Sequence, residues 1–280
     1  MDGHMIDEVE IDAYAEQLRQ QEHAAGTVAK YIRDLRALAQ YLDGGAVTQE
    51  SVGRWRDSLL SHGYAPATIN SMLAAVNGFC GFLRLPVRVR FLKVQRQIFR
   101  DVARTMTRGD YEKLVSTAEK RGQKRLALLM QALCATGVRV SELRYITVES
   151  ARRGRATIAL KGKIRTLLIP KKLAGKLLGY AKAEGIAAGA VFRTRSGREI
   201  SRRQVWYELK RLCRAAGVAA SCVFPHNFRH LFAVTFYAAT KDIVKLADVL
   251  GHSSIETTRI YLISTGQEHE RQLERLGLIL

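Results

Sequence analysis

Apolar residues return at helical spacing along the first third of the chain, in Ile11, Tyr14, Ala15 and Leu18, then in Val28, Tyr31, Ile32, Leu35, Leu38 and Leu42. Each set falls on one face of a helix. A third stretch runs from about Gln49 to Ser61 and stops at His62-Gly63, and a fourth starts near Pro66 and carries Ile69, Leu73, Val76, Phe79 and Leu83. Proline suits a first helical turn, where its missing N–H would have had no partner, and Gly44-Gly45 and Gly63 suit stops. The pattern predicts a small helical bundle over residues 6–86.

The pattern then breaks down. Residues 87–104 are strongly basic with neither a helical nor an alternating period, and read as an interdomain linker with a basic surface. After Met106 helical spacing returns, and Leu126 to Cys134 is apolar on every side, as in a buried helix. From Ala156 to Pro170 the period changes to two, with Ile, Thr and Leu around Lys161-Gly162-Lys163, which predicts a hairpin with a basic turn. From Lys171 onward the chain is again mostly helical. The expected fold is mainly α: a helical N-terminal bundle followed by a mostly helical domain, residues 105–280, with a small β-sheet.

Charge adds the first functional clue. Among 280 residues, 45 Lys and Arg stand against 26 Asp and Glu, a formal net charge of +19. Such a field attracts polyanions, and nucleic acid gains most because each neutralised phosphate releases counterions. An anionic membrane surface is the rival, but no basic amphipathic helix stands apart from the folded body. The longest apolar run, Leu126 to Val138, contains Gln131 and falls short of the roughly 20 residues that span a bilayer. Cys80, Cys134, Cys213 and Cys222 include no CxxC pair and read as free thiols in a reducing compartment. Met1 to His4 read as an artificial extension ahead of an original Met5, without structural weight.

Three strings carry candidate chemistry: Arg139 with Glu142 after Gly137, His226-Asn-Phe-Arg229-His230, and Gly251-His252 followed nine positions later by Tyr261. Arg139 sits where one helix ends and another begins, a place from which a rigid guanidinium can engage two phosphate oxygens. Taken alone, it reads more readily as half of an ion pair with Glu142. His226 and Arg229 share a helix face. His226 and His230 are spaced as a metal pair but lack a third ligand, so His230 reads better as a packed histidine. A lone tyrosine at helical spacing is ordinarily core, and only the conjunction of the strings gives Tyr261 weight.

Taken in order, Arg139, Lys161, His226-x-x-Arg229, Gly251-His252 and Tyr261 resemble the tyrosine recombinases, or lambda-type integrases, and within them the short Xer-like and transposon-encoded members. The resemblance covers nearly the whole chain and includes the N-terminal helices. It implies a core-binding SAM-like domain over 6–86 and a catalytic domain over 105–280. On it, Tyr261 attacks a DNA phosphorus, Arg139 and Arg229 clamp the non-bridging oxygens, and His252 adds a hydrogen bond. Lys161 protonates the departing 5′ oxygen, His226 helps take the tyrosine proton, and Glu142 orients Arg139. Relatives usually read Gly-Lys-Gly where this chain has Leu160-Lys161-Gly162, so Lys163 stands as the alternative acid.

The resemblance further implies strand exchange through a 3′-phosphotyrosine and a Holliday junction, with neither metal nor nucleotide cofactor. The partner is double-stranded DNA with inverted half-sites. The assembly is a homotetramer that exchanges a C-terminal helix at about 268–280, with an accessory protein or partner recombinase as a further partner. No membrane is involved, and the setting is the bacterial cytoplasm, at the nucleoid. Two other readings fit the same residues: a non-cleaving DNA-binding regulator, and a topoisomerase IB-like enzyme that relaxes DNA.

Overall fold

The structure, a computed structural model, describes residues 4–93, 104–160, 163–261 and 274–276. It forms two compact units, residues 1–96 and 97–280. The first holds the four expected helices, α1 (Glu8–Gln20), α2 (Ala25–Leu42), α3 (Gln49–Ser61) and α4 (Pro66–Phe82). Reciprocal capping starts two of them: Asp7 and Glu10 at α1, Thr48 and Ser51 at α3. Their apolar stripes meet in one core of Ile11, Leu18, Leu35, Leu38, Ile69, Leu73, Val76 and Phe79, with Tyr14 edge-on to Phe79 at 5.6 Å. Each of the larger side chains contributes about 1.5–3 kcal/mol by leaving water. Buried Asp34 is neutralised by Lys30 and by Arg33 at 3.1 Å.

His4 corrects the expectation for the chain start. Its carbonyl accepts from Val47 N at 2.7 Å, and its Nε2 lies 2.9 Å from the Glu10 carboxylate.

The first part of the segment read as linker is built against the same bundle. Val87 and Val89 are buried while Arg88 and Arg90 are exposed, an alternation of period two. Side-chain amides stand in for a neighbouring strand. Asn77 bonds both backbone groups of Val89 (2.9 and 3.0 Å), Asn70 both of Leu92 (2.8 and 2.9 Å), and Gln49 both of Arg88 (2.9 and 3.0 Å). The missed signal was the short alternation Val87-Arg-Val-Arg90. Residues 94–103 lie outside the described residues.

The second unit runs α5 (Arg108–Lys120), α6 (Lys124–Thr136), a 3-10 helix (Val140–Tyr145), α7 (Val148–Arg153), β1 (Arg155–Leu160), β2 (Lys163–Leu168), α8 (Lys171–Ala183), α9 (Arg202–Ala216), α10 (Pro225–Thr240), α11 (Ile243–Leu250) and α12 (Ile255–Arg259). Helix α6 is its centre: Leu126, Leu128, Leu129, Met130 and Leu133 are all buried, because α5, α8 and α10 pack around it. The alternating segment forms the expected antiparallel hairpin, in register from Arg155 opposite Leu168 to Leu160 opposite Lys163. Its turn, residues 161–162, lies outside the described residues, as does the expected exchange helix at 268–280 apart from 274–276. Among the described residues the fold is thus mainly helical with one two-stranded sheet. Among the described residues, no helix is long and apolar enough to cross a membrane.

Candidate active site

The site begins where α6 ends. Gly137 takes a left-handed conformation with φ of 62°, and an added Cβ would lie 2.5 Å from the Phe232 ring and 2.9 Å from Leu250. Only glycine permits both the turn and this close approach of α10 and α11. The turn aims the Gly137 carbonyl at Arg229 and sets Arg139 at the start of the 3-10 helix.

Arg229, on α10, is 1% exposed. Its Nη1 donates to Gly137 O, its Nη2 to Leu250 O at 2.8 Å and to His252 Nε2 at 2.8 Å, and its Nε to the Tyr261 hydroxyl at 3.3 Å. Burial, helped by the nearby charge of Arg139, lowers its pKa to about 10, with Tyr261 opposing the shift. Arg229 therefore remains a cation near neutral pH, held in one orientation by main-chain carbonyls.

Tyr261 is 4% exposed and surrounded by histidines. The His252 ring lies 5.8 Å away and nearly parallel at 9°, His230 at 5.7 Å and 25°, and His226 at 5.5 Å and 34°. His226, Arg229 and His230 occupy one turn of α10, so a single helical turn faces the tyrosine from below. His252 follows Gly251, which ends α11 at φ of 65°, and its Nδ1 lies 2.9 Å from Thr258 Oγ1. Arg229 can only donate, so Nε2 accepts and the imidazole proton sits on Nδ1, donated to Thr258. Burial first, then the Arg229 charge, lowers the His252 pKa to about 4, which keeps the ring neutral.

Arg139 both pairs with Glu142 and stays available. Its Nη1 donates to Glu142 Oε1 at 3.1 Å, yet its side chain is 41% exposed. Glu142 is buried, and its Oε2 accepts from Arg139 N at 2.8 Å and from Arg165 Nη2 at 2.6 Å. Burial alone would raise its pKa, but these donors hold the carboxyl below its usual range.

Arg139, His226 and Arg229 line a cleft of about 460 Å³, together with Arg202, Arg203 and Trp206. Arg139, Glu142, Arg165 and His252 line a second, of about 730 Å³, again with Arg202. Five of the expected residues, Arg139, His226, Arg229, His252 and Tyr261, are therefore gathered with Glu142 behind them. Lys161 lies outside the described residues, and of Lys163 only the backbone is described. Among the described residues, no three His, Cys, Asp or Glu side chains are grouped to hold a metal ion.

Sequence reasoning missed Arg165, Arg202, Arg203 and Trp206. A signal for Arg165 existed. In β2 it alternates with exposed Ile164 and shares its inward register with buried Leu167, a charge on the apolar face of a strand.

Comparison with known proteins bears on the whole chain. The phage integrase family profile matches residues 104–268, and the phage integrase N-terminal SAM-like domain matches residues 11–85. Tyrosine recombinase XerA of Thermococcus kodakarensis is 29% identical over 278 residues, covering 96% of this chain and 95% of its own. Tyrosine recombinase XerD of Brucella suis is 30% identical over 270 residues, covering 85% and 86%. Among solved structures, a Tn1549 transposon integrase in complex with transposon right end DNA superposes with a TM-score of 0.72 at 16% identity, covering 96% of this chain and 99% of that one. A lambda integrase dimer bound to a COC′ core site gives 0.73 at 16% identity, covering 90% and 94%. The fold is that of these integrases, and the two profile matches with the full-length relatives place the chain in the phage integrase family.

Proposed function

We propose that the chain is a site-specific tyrosine recombinase that cuts and rejoins DNA through Tyr261. The observation that carries this is the meeting of Arg229 and three histidine rings of one unit around the buried Tyr261, with Arg139 on the cleft that His226 and Arg229 also line.

In this reading the scissile phosphate enters the cleft beside Arg139 and Arg229, whose guanidinium groups take up the charge of the pentacoordinate transition state. The Tyr261 oxygen attacks phosphorus, and its proton passes toward His226. The 5′ oxygen departs with a proton from Lys161, or from Lys163 as the alternative. The product is a 3′-phosphotyrosine and a free 5′-hydroxyl. One ester is exchanged for another, so the bond energy is retained and a second strand's 5′-hydroxyl can reverse the step. His252, whose Nε2 accepts from Arg229 in the DNA-free state, turns that nitrogen toward a phosphate oxygen once it gains a proton.

The finer assignments belong to the same proposal. Residues 6–86 and 105–280 act as core-binding and catalytic domains, with the first part of the basic segment 87–104 docked on the former and the rest joining the two. The enzyme acts as a homotetramer on inverted half-sites through a Holliday junction, with residues 268–280 given to a neighbour. It works in the cytoplasm at the nucleoid, with an accessory protein or partner recombinase as an additional partner, and it needs no cofactor.

Trapping on a nicked suicide duplex tests the reading. Wild-type protein should give a covalent protein–DNA band on a denaturing gel, and Tyr261→Phe none. Absence of the band from the wild type on its cognate site would favour the non-cleaving regulator. Relaxation of any supercoiled plasmid without recombinant product would favour the topoisomerase-like enzyme.

A further inference from the structure

Arg165 is not among the residues assigned to the chemistry, yet it touches both sides of the site. Its Nη2 donates to Glu142 Oε2 at 2.6 Å, and the other oxygen of that carboxylate accepts from the Arg139 guanidinium. Its Nη1 donates to the Val249 carbonyl at 3.1 Å, three residues before His252. Its stem runs across Gly251: a Cβ there would lie 2.2 Å from Arg165 Cδ and 3.0 Å from Nε. The side chain is 12% exposed, and its Nε has no acceptor among the described residues. A buried donor is left unmet so that the other two can reach these acceptors.

We propose that Arg165 is a positioning residue for strand cleavage, fixing the 3-10 helix that carries Arg139 and the turn that carries His252 to the same strand of the hairpin. The inference rests on the recombinase reading of the site. Without the bridge, the buried Glu142 carboxylate keeps Arg139 alone among the described residues, and the end of α11 loses the hydrogen bond that ties it to β2. Both Arg139 and His252 are then free to drift from the phosphate by fractions of an ångström. A misplacement of about 1 Å can cost a hundredfold in rate. The requirement for glycine before His252 follows from the same contact, beyond its left-handed backbone.

The test compares Arg165→Met, Arg165→Lys and Gly251→Ala with wild type on a nicked suicide duplex. It measures DNA affinity and Tm alongside single-turnover cleavage, on a normal junction and on one whose scissile phosphate carries a methyl group in place of one charged oxygen. Arg165→Met should bind DNA within about threefold of wild type and cleave the normal junction about tenfold to a hundredfold more slowly. On the uncharged methylphosphonate junction that deficit should shrink several-fold, because less charge awaits the misplaced donors. Lysine, which can reach only one of the two acceptors, should fall between. If Arg165→Met fails to fold, Arg165→Lys and Gly251→Ala carry the same expectation. Cleavage at the wild-type rate by the folded variants, or an equal deficit on both junctions, overturns the positioning role. A wild-type protein that forms no covalent complex overturns the recombinase reading instead.

Discussion

Arg229 reaches the hydroxyl of Tyr261 through its Nε at 3.3 Å while its two terminal nitrogens are spent on Gly137 O, Leu250 O and His252. The donor that reaches the proposed nucleophile is thus also a structural tie between the end of α6 and the end of α11. Arg139, proposed for the same chemical task, is half-exposed, and among the described residues its guanidinium pairs with Glu142. The two arginines should respond differently to removal.

Arg229→Met should abolish covalent complex formation and also lower unfolding stability by about 2 kcal/mol or more, since two buried carbonyls lose their donor. Arg139→Met should lose cleavage as fully but cost less than about 1 kcal/mol, because Glu142 keeps Arg165. Urea unfolding beside suicide-substrate trapping reads both quantities. Equal stability losses would contradict the arrangement.

Tyr261→Phe removes one long hydrogen bond and keeps the ring among His226, His230 and His252. It should unfold within about 1 kcal/mol of wild type and bind DNA undiminished. A large loss of DNA affinity would mean that the hydroxyl holds the site together rather than reacting.

Gly137→Ala should be the more damaging of two small changes. The left-handed backbone and the 2.5 Å approach of Phe232 act together, and a loss of about 2 kcal/mol or more is expected in the same unfolding measurement. Gly175→Ala, on α8 with open space around it, is the control and should be neutral or slightly stabilising.

His252 makes the protein sensitive to mild acid. Its pKa falls from 6.5 to about 4 in the fold, so between these values the unfolded chain takes up the proton more readily. Its stabilising contribution is fully present above pH 6.5 and is lost as pH falls toward 4. His252→Gln should flatten the stability profile in that window, while Asp110 and Glu142, held below the usual carboxyl range, add stability that is lost as pH falls below the ordinary carboxyl values. A DNA phosphate should raise the His252 pKa, visible as an imidazole NMR shift that moves to higher pH in the complex.

The four N-terminal helices were legible because an amphipathic helix writes its buried face into the sequence every three or four residues, as Ile11 to Leu18 do; in the second unit the same pattern showed helix without the limits of each element. So were the site residues that sit in strings, since His226 and Arg229 share a helical turn. For Arg165 the alternation of β2 could show only that a charge lay on the apolar face; its partners, Glu142 and Val249, lie 23 and 84 positions away, and no local pattern names them. The stretch from Val87 to Leu92 was missed for a related reason: its backbone is held at Arg88 by Gln49, at Val89 by Asn77 and at Leu92 by Asn70, polar residues on helices that a hydrophobic pattern passes over.

The carbonyls that hold Arg229 have a consequence for how this site can fail. Gly137 O and Leu250 O belong to the main chain, so no exchange of a neighbouring polar side chain can delete them. What can move them is a change in the path of the backbone, and that path is set by Gly137 and Gly251, two residues with no side chain at all. The weak points of the catalytic geometry are therefore residues that touch no substrate, and a survey of charged positions alone would pass over them.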